Sequence, residues 1–311
     1  MTAVLACLNP AHRYYICFDQ LDLGFGPTNP DYANRLIGLL LAARDICVAA
    51  RAANRDLFVG VFLRDDIYDS LHFEDKNKIT QNYLSLIEWD SPRTEKTLKG
   101  LMERRFQKLM STSLAEEVTW DAVFDETKEM TGHQTKYQHI LDRTYLRPRD
   151  VIRFSNEALA QFKIRLAKGG LDEPVDRFVN MDINNARAAY SNYFIEELDD
   201  EIHKHIPEYR QYLEIFKALG VLTFKADAYL AEFERQKHRF SECYPMSVLE
   251  RFFAFSVIGF YRSGGKGYGG AEFVFRYKEP RGSFDPNSPQ FKLHPGLMDV
   301  LGLRKFSGAN P

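Results

Sequence analysis

The stretch YYICFDQLDLGFGP, residues 14–27, decides how the first part of this chain is interpreted. It opens with apolar and aromatic residues that favour β-strands, and two acids, Asp19 and Asp22, follow before glycine and proline break the chain. A short apolar run that ends at a turn is typical of a strand buried in a parallel sheet. We therefore predict a buried parallel strand at Tyr14–Phe18 with two carboxylates at its carboxyl end.

The residues that follow predict that this strand belongs to a right-handed βαβ unit. Apolar side chains recur at helical spacing over Pro30–Asn54, and LFVGVFL, Leu57–Leu63, is a second apolar run. A strand, a helix and a strand within about fifty residues form parallel neighbours in an α/β sheet. The acids Asp19 and Asp22 and the polar run Arg64–Asp66 should then share the carboxyl edge of the sheet, where such folds bind ligands.

The composition is that of a globular protein. The 311 residues are 45% hydrophobic and 27% charged, and the formal net charge of −2 gives no overall attraction to nucleic acid. The longest apolar run, Leu36–Ala43, is far shorter than the ~18 residues of a membrane span, and no signal-peptide pattern is evident. Four scattered cysteines predict buried thiols in a reducing compartment. We expect a soluble, cytoplasmic protein without membrane contact.

The middle of the chain, from about Lys76 to Leu198, is predicted to be mostly helical. The segment ITQNYLSLIEW, residues 79–89, is a candidate short strand, and a helix is expected to begin at Ser91 or Pro92. Two longer helices follow, over residues 151–170 and 183–206, and the first of these ends at a glycine pair, a common C-terminal signal.

The last hundred residues or so predict an α+β domain. Three short helices, over Tyr209–Leu219, Asp227–Arg235 and Pro245–Phe255, precede two strands that flank the glycine-rich GGKGYGG, residues 264–270. Three helices followed by a β-hairpin is the winged-helix pattern, a relative of the helix-turn-helix.

Several motifs, taken in order, give a resemblance to a known family. DQLD at 19–22 is followed by FLRDDIY at 62–68, ERR at 103–105, YLRPRDVI at 145–152 and FKLHPGL at 291–297. This order resembles bacterial P-loop ATPases of the AAA-like or STAND-like type over nearly the whole chain. The resemblance implies an α/β P-loop core, a helical lid and a winged-helix domain, together with ATP and Mg²⁺ as ligands.

The resemblance also implies roles for individual residues. Asp19 matches the acid that holds Mg²⁺ at the end of the Walker B strand, and Asp22 matches a second acid of the DxLD pattern. Arg64 matches the sensor position that reports on the γ-phosphate. Arg147 and Arg149 match arginines at the start of the lid, which contact phosphates or a neighbouring subunit's nucleotide. Independently of the family, a triphosphate site needs a metal-holding carboxylate and fixed guanidinium donors.

Each of these residues also has a purely structural interpretation. Asp19 could simply accept hydrogen bonds in the turn after the strand. Arg64 could pair with one of the acids at 65, 66 or 69. Arg147 and Arg149 could form a helix N-terminal bend around Pro148.

Two departures from the family pattern affect what the chain can do alone. Gln20 follows Asp19, where many related ATPases have a catalytic acid, which leaves Asp22 for water activation or makes hydrolysis slow. The phosphate loop GxxxxGK[ST] occurs nowhere in the sequence. The nearest match, SGGKGYGG at 263–270, lies between two predicted strands, as a wing does. We therefore expect the C-terminal portion of a P-loop ATPase, either truncated or half of a split system, that lacks its Walker A segment.

The predicted wing offers a second kind of site. Arg262 and Lys266, with tyrosines interleaved, suit phosphate and base contacts in DNA. The third helix is strongly apolar, and its phenylalanines should fill a core, which favours a protein partner or self-association.

The predicted organisation has three parts: a partial P-loop α/β core at 1–130, a helical lid at 131–205 and a winged-helix domain at 206–311. The predicted function is that of a regulatory or defence-type molecular switch, an ATPase if the missing phosphate-loop segment is supplied. The alternative is a winged-helix module that binds DNA or protein without nucleotide hydrolysis.

Overall fold

The chain forms two compact units, residues 1–87 and 88–311. The computed structural model describes residues 2–22, 25, 29–90, 95–110, 117–169, 176–241, 244–264, 270–280 and 282–305. The expected boundary at residue 130 does not coincide with this division, because helices on both sides of it share one core. The rings of Trp120 and Phe124 stack 3.8 Å apart, and Phe124 packs edge-on against Phe178 at 5.0 Å.

The first unit contains the predicted βαβ arrangement. Strand β1, Arg13–Phe18, pairs in parallel with β2, Asp56–Val61, and helix α2, Pro30–Ala52, connects them. The start of α2 is fixed locally, because Asn29 accepts a hydrogen bond from the backbone N–H of Tyr32 at 3.2 Å and proline occupies the first turn. The shorter helices of this unit are α1 Thr2–Ala6, α3 Asp65–Ser70 and α4 Lys76–Asn82.

Strand β1 is exposed, so the prediction of a buried strand is wrong. Of its six residues only Tyr14 is half-buried, and Tyr15 is 67% exposed. Within the described residues β1 has a single neighbour, β2, whereas a parallel strand is normally flanked on both edges and covered on both faces. The apolar sequence is therefore typical of an interior strand, but the described residues supply only one neighbouring strand.

The candidate strand at residues 79–89 is also absent. Residues 79–82 belong to helix α4, and residues 84–88 have no regular structure. Tyr68 accounts for part of this difference, because its hydroxyl and that of Thr80 hydrogen-bond at 2.8 Å and Lys76 lies over its ring. Leu86 and Ile87 remain exposed.

The second unit begins with helices that share one core. They are α5 Leu98–Met110, α6 Trp120–Val123, α7 Lys136–Leu141, α8 Pro148–Ala167 and α9 Asn180–Ile202. Helix α5 begins at Leu98, later than predicted, and residues 91–94 lie outside the described part. Helix α8 ends as predicted, with Gly169 at a φ of +74°, where a side chain would be strained. Helices α8 and α9 then pack against each other.

The three helices predicted near the end are confirmed. They are α10 Tyr209–Leu219, α11 Ala226–Gln236 and α12 Pro245–Ala254. One face of α10 is buried, as its apolar spacing predicts. This face consists of Tyr209, Tyr212, Leu213 and Phe216. Phe252 and Phe253 of α12 are buried too, as the apolar character of that helix predicts.

The predicted hairpin is part of a larger antiparallel sheet. Strands β4, Ile258–Arg262, and β5, Glu272–Val274, pair as predicted. Two further strands were not predicted from the sequence: β3, Thr223–Lys225, and β6, Gln290–Leu293. The strand order is β3-β6-β4-β5, so the last strand lies between the first and the hairpin.

The cysteines contradict the prediction of buried thiols. Cys7 and Cys17 are exposed and Cys47 is half-buried, while Cys243 lies outside the described residues. Among the helices of the described part, none combines the length and the apolar character needed to cross a membrane.

Candidate functional site

The carboxyl ends of β1 and β2 lie side by side. Phe18 is paired with Val61, and the backbone N–H of Phe62 donates to the carbonyl of Phe18 at 2.9 Å. Asp19 is the next residue of the first chain segment, and Arg64 comes three residues after Val61 in the second. The prediction that the two polar groups leave one edge of a parallel sheet is therefore confirmed at the level of the backbone.

The backbone turns sharply directly after Asp19. Gln20 has a φ of 58°, in the left-handed region that is uncommon for residues other than glycine, and its N–H donates to Asp19 Oδ1 at 2.8 Å. The loop is also tied to helix α2, because the hydroxyl of Tyr32 donates to the carbonyl of Leu21 at 2.9 Å. Asp19 is exposed and Asp22 is half-buried, so the carboxylate of Asp19 is accessible to a ligand.

Arg64 precedes the short helix α3 and forms an ion pair within its own segment. Its Nε and Nη2 donate to the two carboxylate oxygens of Asp66 at 3.0 and 2.9 Å. The bidentate geometry fixes the plane of the guanidinium group. Both side chains remain partly exposed, at 35% and 47%, so this pair is accessible to solvent and contributes little to stability.

Arg147 and Arg149 belong to an ion-pair cluster between helices α8 and α9. Arg147 Nη1 lies 2.7 Å from Glu201 and its guanidinium stacks over the ring of Tyr145, while Arg149 Nη2 lies 3.0 Å from Glu197. Burial opposes the charge of Arg147, but the pairing with Glu201 raises the pKa of this arginine above its ordinary value. Within this unit, the two arginines join the start of α8 to the last turns of α9.

The basic residues of the predicted wing are only partly described. Arg262, in β4, donates to Glu272 at 2.7 Å and lies 3.0 Å from Glu279. Two carboxylates around one guanidinium remove the local positive charge that a DNA backbone would require. Lys266 lies outside the described residues.

An exposed aromatic surface on β1 and β2 was not predicted from the sequence. Tyr15 and Phe58 stack with their ring centroids 5.3 Å apart, and both are exposed. Phe62, directly after β2, is 50% exposed and lies on the same side of its strand as Phe58, because side chains alternate along a strand. The apolar residues of both strands were the only sequence signal for this surface, and they predicted buried strands instead.

The residues of this edge fit part of an ATP–Mg²⁺ site. An exposed carboxylate such as Asp19 is the kind of oxygen ligand that Mg²⁺ prefers, and an arginine such as Arg64 can donate to phosphate oxygens. In the part of the chain that the structure describes, no three His, Cys, Asp or Glu side chains come together as a metal-binding group. The phosphate loop GxxxxGK[ST] does not occur in the sequence.

One comparison with known proteins gave a match. The family model of the FunZ-associated C-terminal helical domain matches residues 96–199, about a third of the chain. The matched stretch begins just before α5 and ends within α9, so it corresponds to the helical first part of the second unit. No curated protein and no solved structure matches the chain.

Proposed function

We propose that this chain is the C-terminal, acid-bearing portion of a P-loop ATPase that acts as a regulatory or defence-type molecular switch. Asp19 would hold Mg²⁺ and Arg64 would contact the terminal phosphate, while Asp22 would orient the attacking water. Mg²⁺, when bound, neutralises charge on the phosphates during their transfer. The observation that carries this proposal is the parallel pairing of β1 and β2, with Asp19 and Arg64 leaving the same carboxyl edge.

Two further features support an incomplete nucleotide site rather than a complete one. The two-stranded parallel sheet exposes apolar residues that an α/β core would cover. The sequence supplies the metal-side acid but no loop that can cradle phosphates. The match to a domain described as C-terminal and helical is consistent with a modular protein in which an α/β part precedes the helices.

The ion-pair cluster of helices α8 and α9 provides the proposed link between nucleotide state and shape. Arg147 and Arg149 are engaged by Glu197 and Glu201. To contact a phosphate, these two arginines would have to leave their carboxylate partners. Phosphate oxygens can replace the carboxylates, because they also accept two parallel hydrogen bonds from a guanidinium group. Such an exchange would loosen the start of α8 from the end of α9.

The test uses this chain joined to an upstream segment that carries a phosphate loop. We expect Asp19→Asn to lower Mg²⁺-dependent ATP turnover at least about tenfold, because the metal loses its charged ligand in the transition state. Asp56→Asn is the matched control, since Asp56 is an exposed acid at the first residue of β2, at the opposite, amino end of the sheet. Turnover should be measured as phosphate release over a range of Mg²⁺ concentrations.

Equal turnover in the Asp19→Asn variant and the parent would remove Asp19 from the site. Absence of nucleotide binding in the parent itself would favour the second candidate function, a binding module without hydrolysis. That candidate is supported by the three helices α10 to α12 and their antiparallel sheet, which contribute many side chains to the large core of the second unit. The neutralised Arg262 favours a protein over DNA as the partner.

A further inference from the structure

Among the residues that the structure describes, no strand pairs with the outer edge of β1. In the described part of the chain β1 pairs only with β2. The carbonyl of Phe18 accepts from Phe62 N–H, so in this strand the backbone groups of Phe18, Ile16 and Tyr14 face β2. The N–H and C=O groups of the alternate residues, Tyr15 and Cys17, therefore face away from the sheet. An exposed apolar edge without proline or lysine is a template for pairing with another strand.

Two copies of β1 can pair antiparallel with complementary side chains opposite each other. If two copies pair antiparallel with Ile16 opposite Ile16, Tyr15 lies opposite Cys17 and Tyr14 lies opposite Phe18. In the same register Arg13 lies opposite Asp19, so the two ends of the strand carry opposite charges that meet across the pair. A shift by two residues in either direction would separate this charge pair.

We propose that β1 is an interface for a second copy of this chain, which adds its own β1 antiparallel to form a four-stranded sheet β2-β1-β1-β2. The contact is isologous, as a two-fold axis through the Ile16 pair requires. The ladder satisfies the outward-facing backbone groups of Tyr15 and Cys17 in both copies. It also covers part of the exposed side chains of Tyr15, Ile16 and Phe18.

The dimer and a metal-bearing Asp19 exclude each other, because Asp19 is paired with Arg13 of the second copy. Arg13 Nε also lies 3.4 Å from Asp56 of its own chain, but both of these side chains are largely exposed, so this pair is weak enough to exchange. The inference does not rest on the proposed function, since it needs only the free edge and the register. A contact limited to one pair of short strands is small, so the dimer should be concentration-dependent and reversible.

The register can be tested by disulfide formation at one position. In a chain whose four cysteines are replaced by serine, Ile16→Cys puts two thiols at directly opposed positions of a non-hydrogen-bonded pair. Their Cα atoms would then be about 4.5 Å apart, within the range that a disulfide spans. Val48→Cys in the same background is the control, because Val48 is similarly exposed, at 52% against 44% for Ile16, and lies on α2.

We expect mild oxidation of the Ile16→Cys chain to give at least about tenfold more covalent dimer than the Val48→Cys chain, because the geometry that a disulfide requires is met only at the paired edge. Equal amounts of dimer from the two chains would overturn the proposal. The readout is the fraction of dimer under non-reducing conditions, with the linked peptide identified by mass spectrometry.

The charge pair gives a second and independent test without cysteines. Arg13→Asp and Asp19→Arg should each weaken dimerisation in sedimentation experiments, because like charges then face each other across the pair. The double variant Arg13→Asp with Asp19→Arg restores opposite charges and should restore the dimer. A double variant that dimerises no better than either single variant would overturn the register. None of these results depends on nucleotide, so this proposal can fail while the proposed function stands.

Discussion

At the scale of single residues, two buried histidines link the stability of the second unit to pH. Burial, together with the neighbouring charges of Arg143 and Arg187, lowers the pKa of His139 to about 3. Burial also holds the pKa of His294 well below its ordinary value, and this ring is enclosed by Tyr145 and Phe194. Both rings are therefore neutral in the folded unit at neutral pH.

The stability of the second unit should fall as the pH is lowered from about 6.5 towards 3, because unfolded histidine takes up a proton in this range and buried His139 does not. Above that range the contribution is fully present. We expect His139→Leu to reduce the dependence of the unfolding midpoint on pH, as measured by thermal unfolding at several pH values. His133→Leu is the control, because His133 is 95% exposed. A parent and a His139→Leu variant with the same pH dependence would contradict this expectation.

At the scale of helices, a buried ion pair joins the end of α8 to the start of α9. Arg165 Nε and Nη2 each lie 3.0 Å from a carboxylate oxygen of Asp182, and the two side chains are 7% and 1% exposed. Asp182 also accepts from the backbone N–H of Val179 at 3.0 Å, which caps α9, and Arg165 donates to the carbonyl of Arg177. The pair thus fixes the connection between two helices within the region that matches the FunZ-associated domain.

Arg165→Leu should destabilise the second unit by about 3–5 kcal/mol, because it leaves the carboxylate of Asp182 buried without its partner. Arg153→Leu, in the same helix, removes a partly exposed pair with Glu157 and should cost less than about 1 kcal/mol. Urea unfolding followed by circular dichroism measures both. Similar losses in the two variants would show that burial does not decide the effect. The double change Arg165→Leu with Asp182→Leu should recover part of the lost stability.

At the scale of the whole molecule, the two units differ greatly in the size of their cores. The first unit has a small cluster around Leu36, Ile67 and Leu71. The second has one large, aromatic-rich core to which α9, α10 and the antiparallel sheet contribute. The free energy of local unfolding rises with the number of buried apolar contacts. The first unit should therefore unfold locally more readily than the second.

Hydrogen exchange should therefore be faster in the first unit than in the second. We expect the amides of β1 and α2 to exchange before those of α9 and α10, after correction for intrinsic rates, as measured by mass spectrometry of peptides. Dilution should accelerate exchange in β1 further if its edge is covered by a second copy at high concentration. Equal protection of the two units would contradict the difference in their cores.

The sequence determined the local elements because their causes are local. The apolar periods of α2 and α10, the proline at the start of α2 and the glycine after α8 fixed those helices close to their observed bounds. The strand–helix–strand order also predicted the parallel pairing of β1 with β2, and with it the common edge of Asp19 and Arg64.

Only the tertiary structure decided what covers each element and which side chains meet. An apolar strand has the same sequence whether or not neighbours exist, so the exposure of β1 could not be read from its residues. The insertion of β6 beside β4, and the pairing of Arg147 with Glu201, join residues far apart in the chain. Such contacts depend on long-range packing, for which the local periods of a single sequence carry no signal.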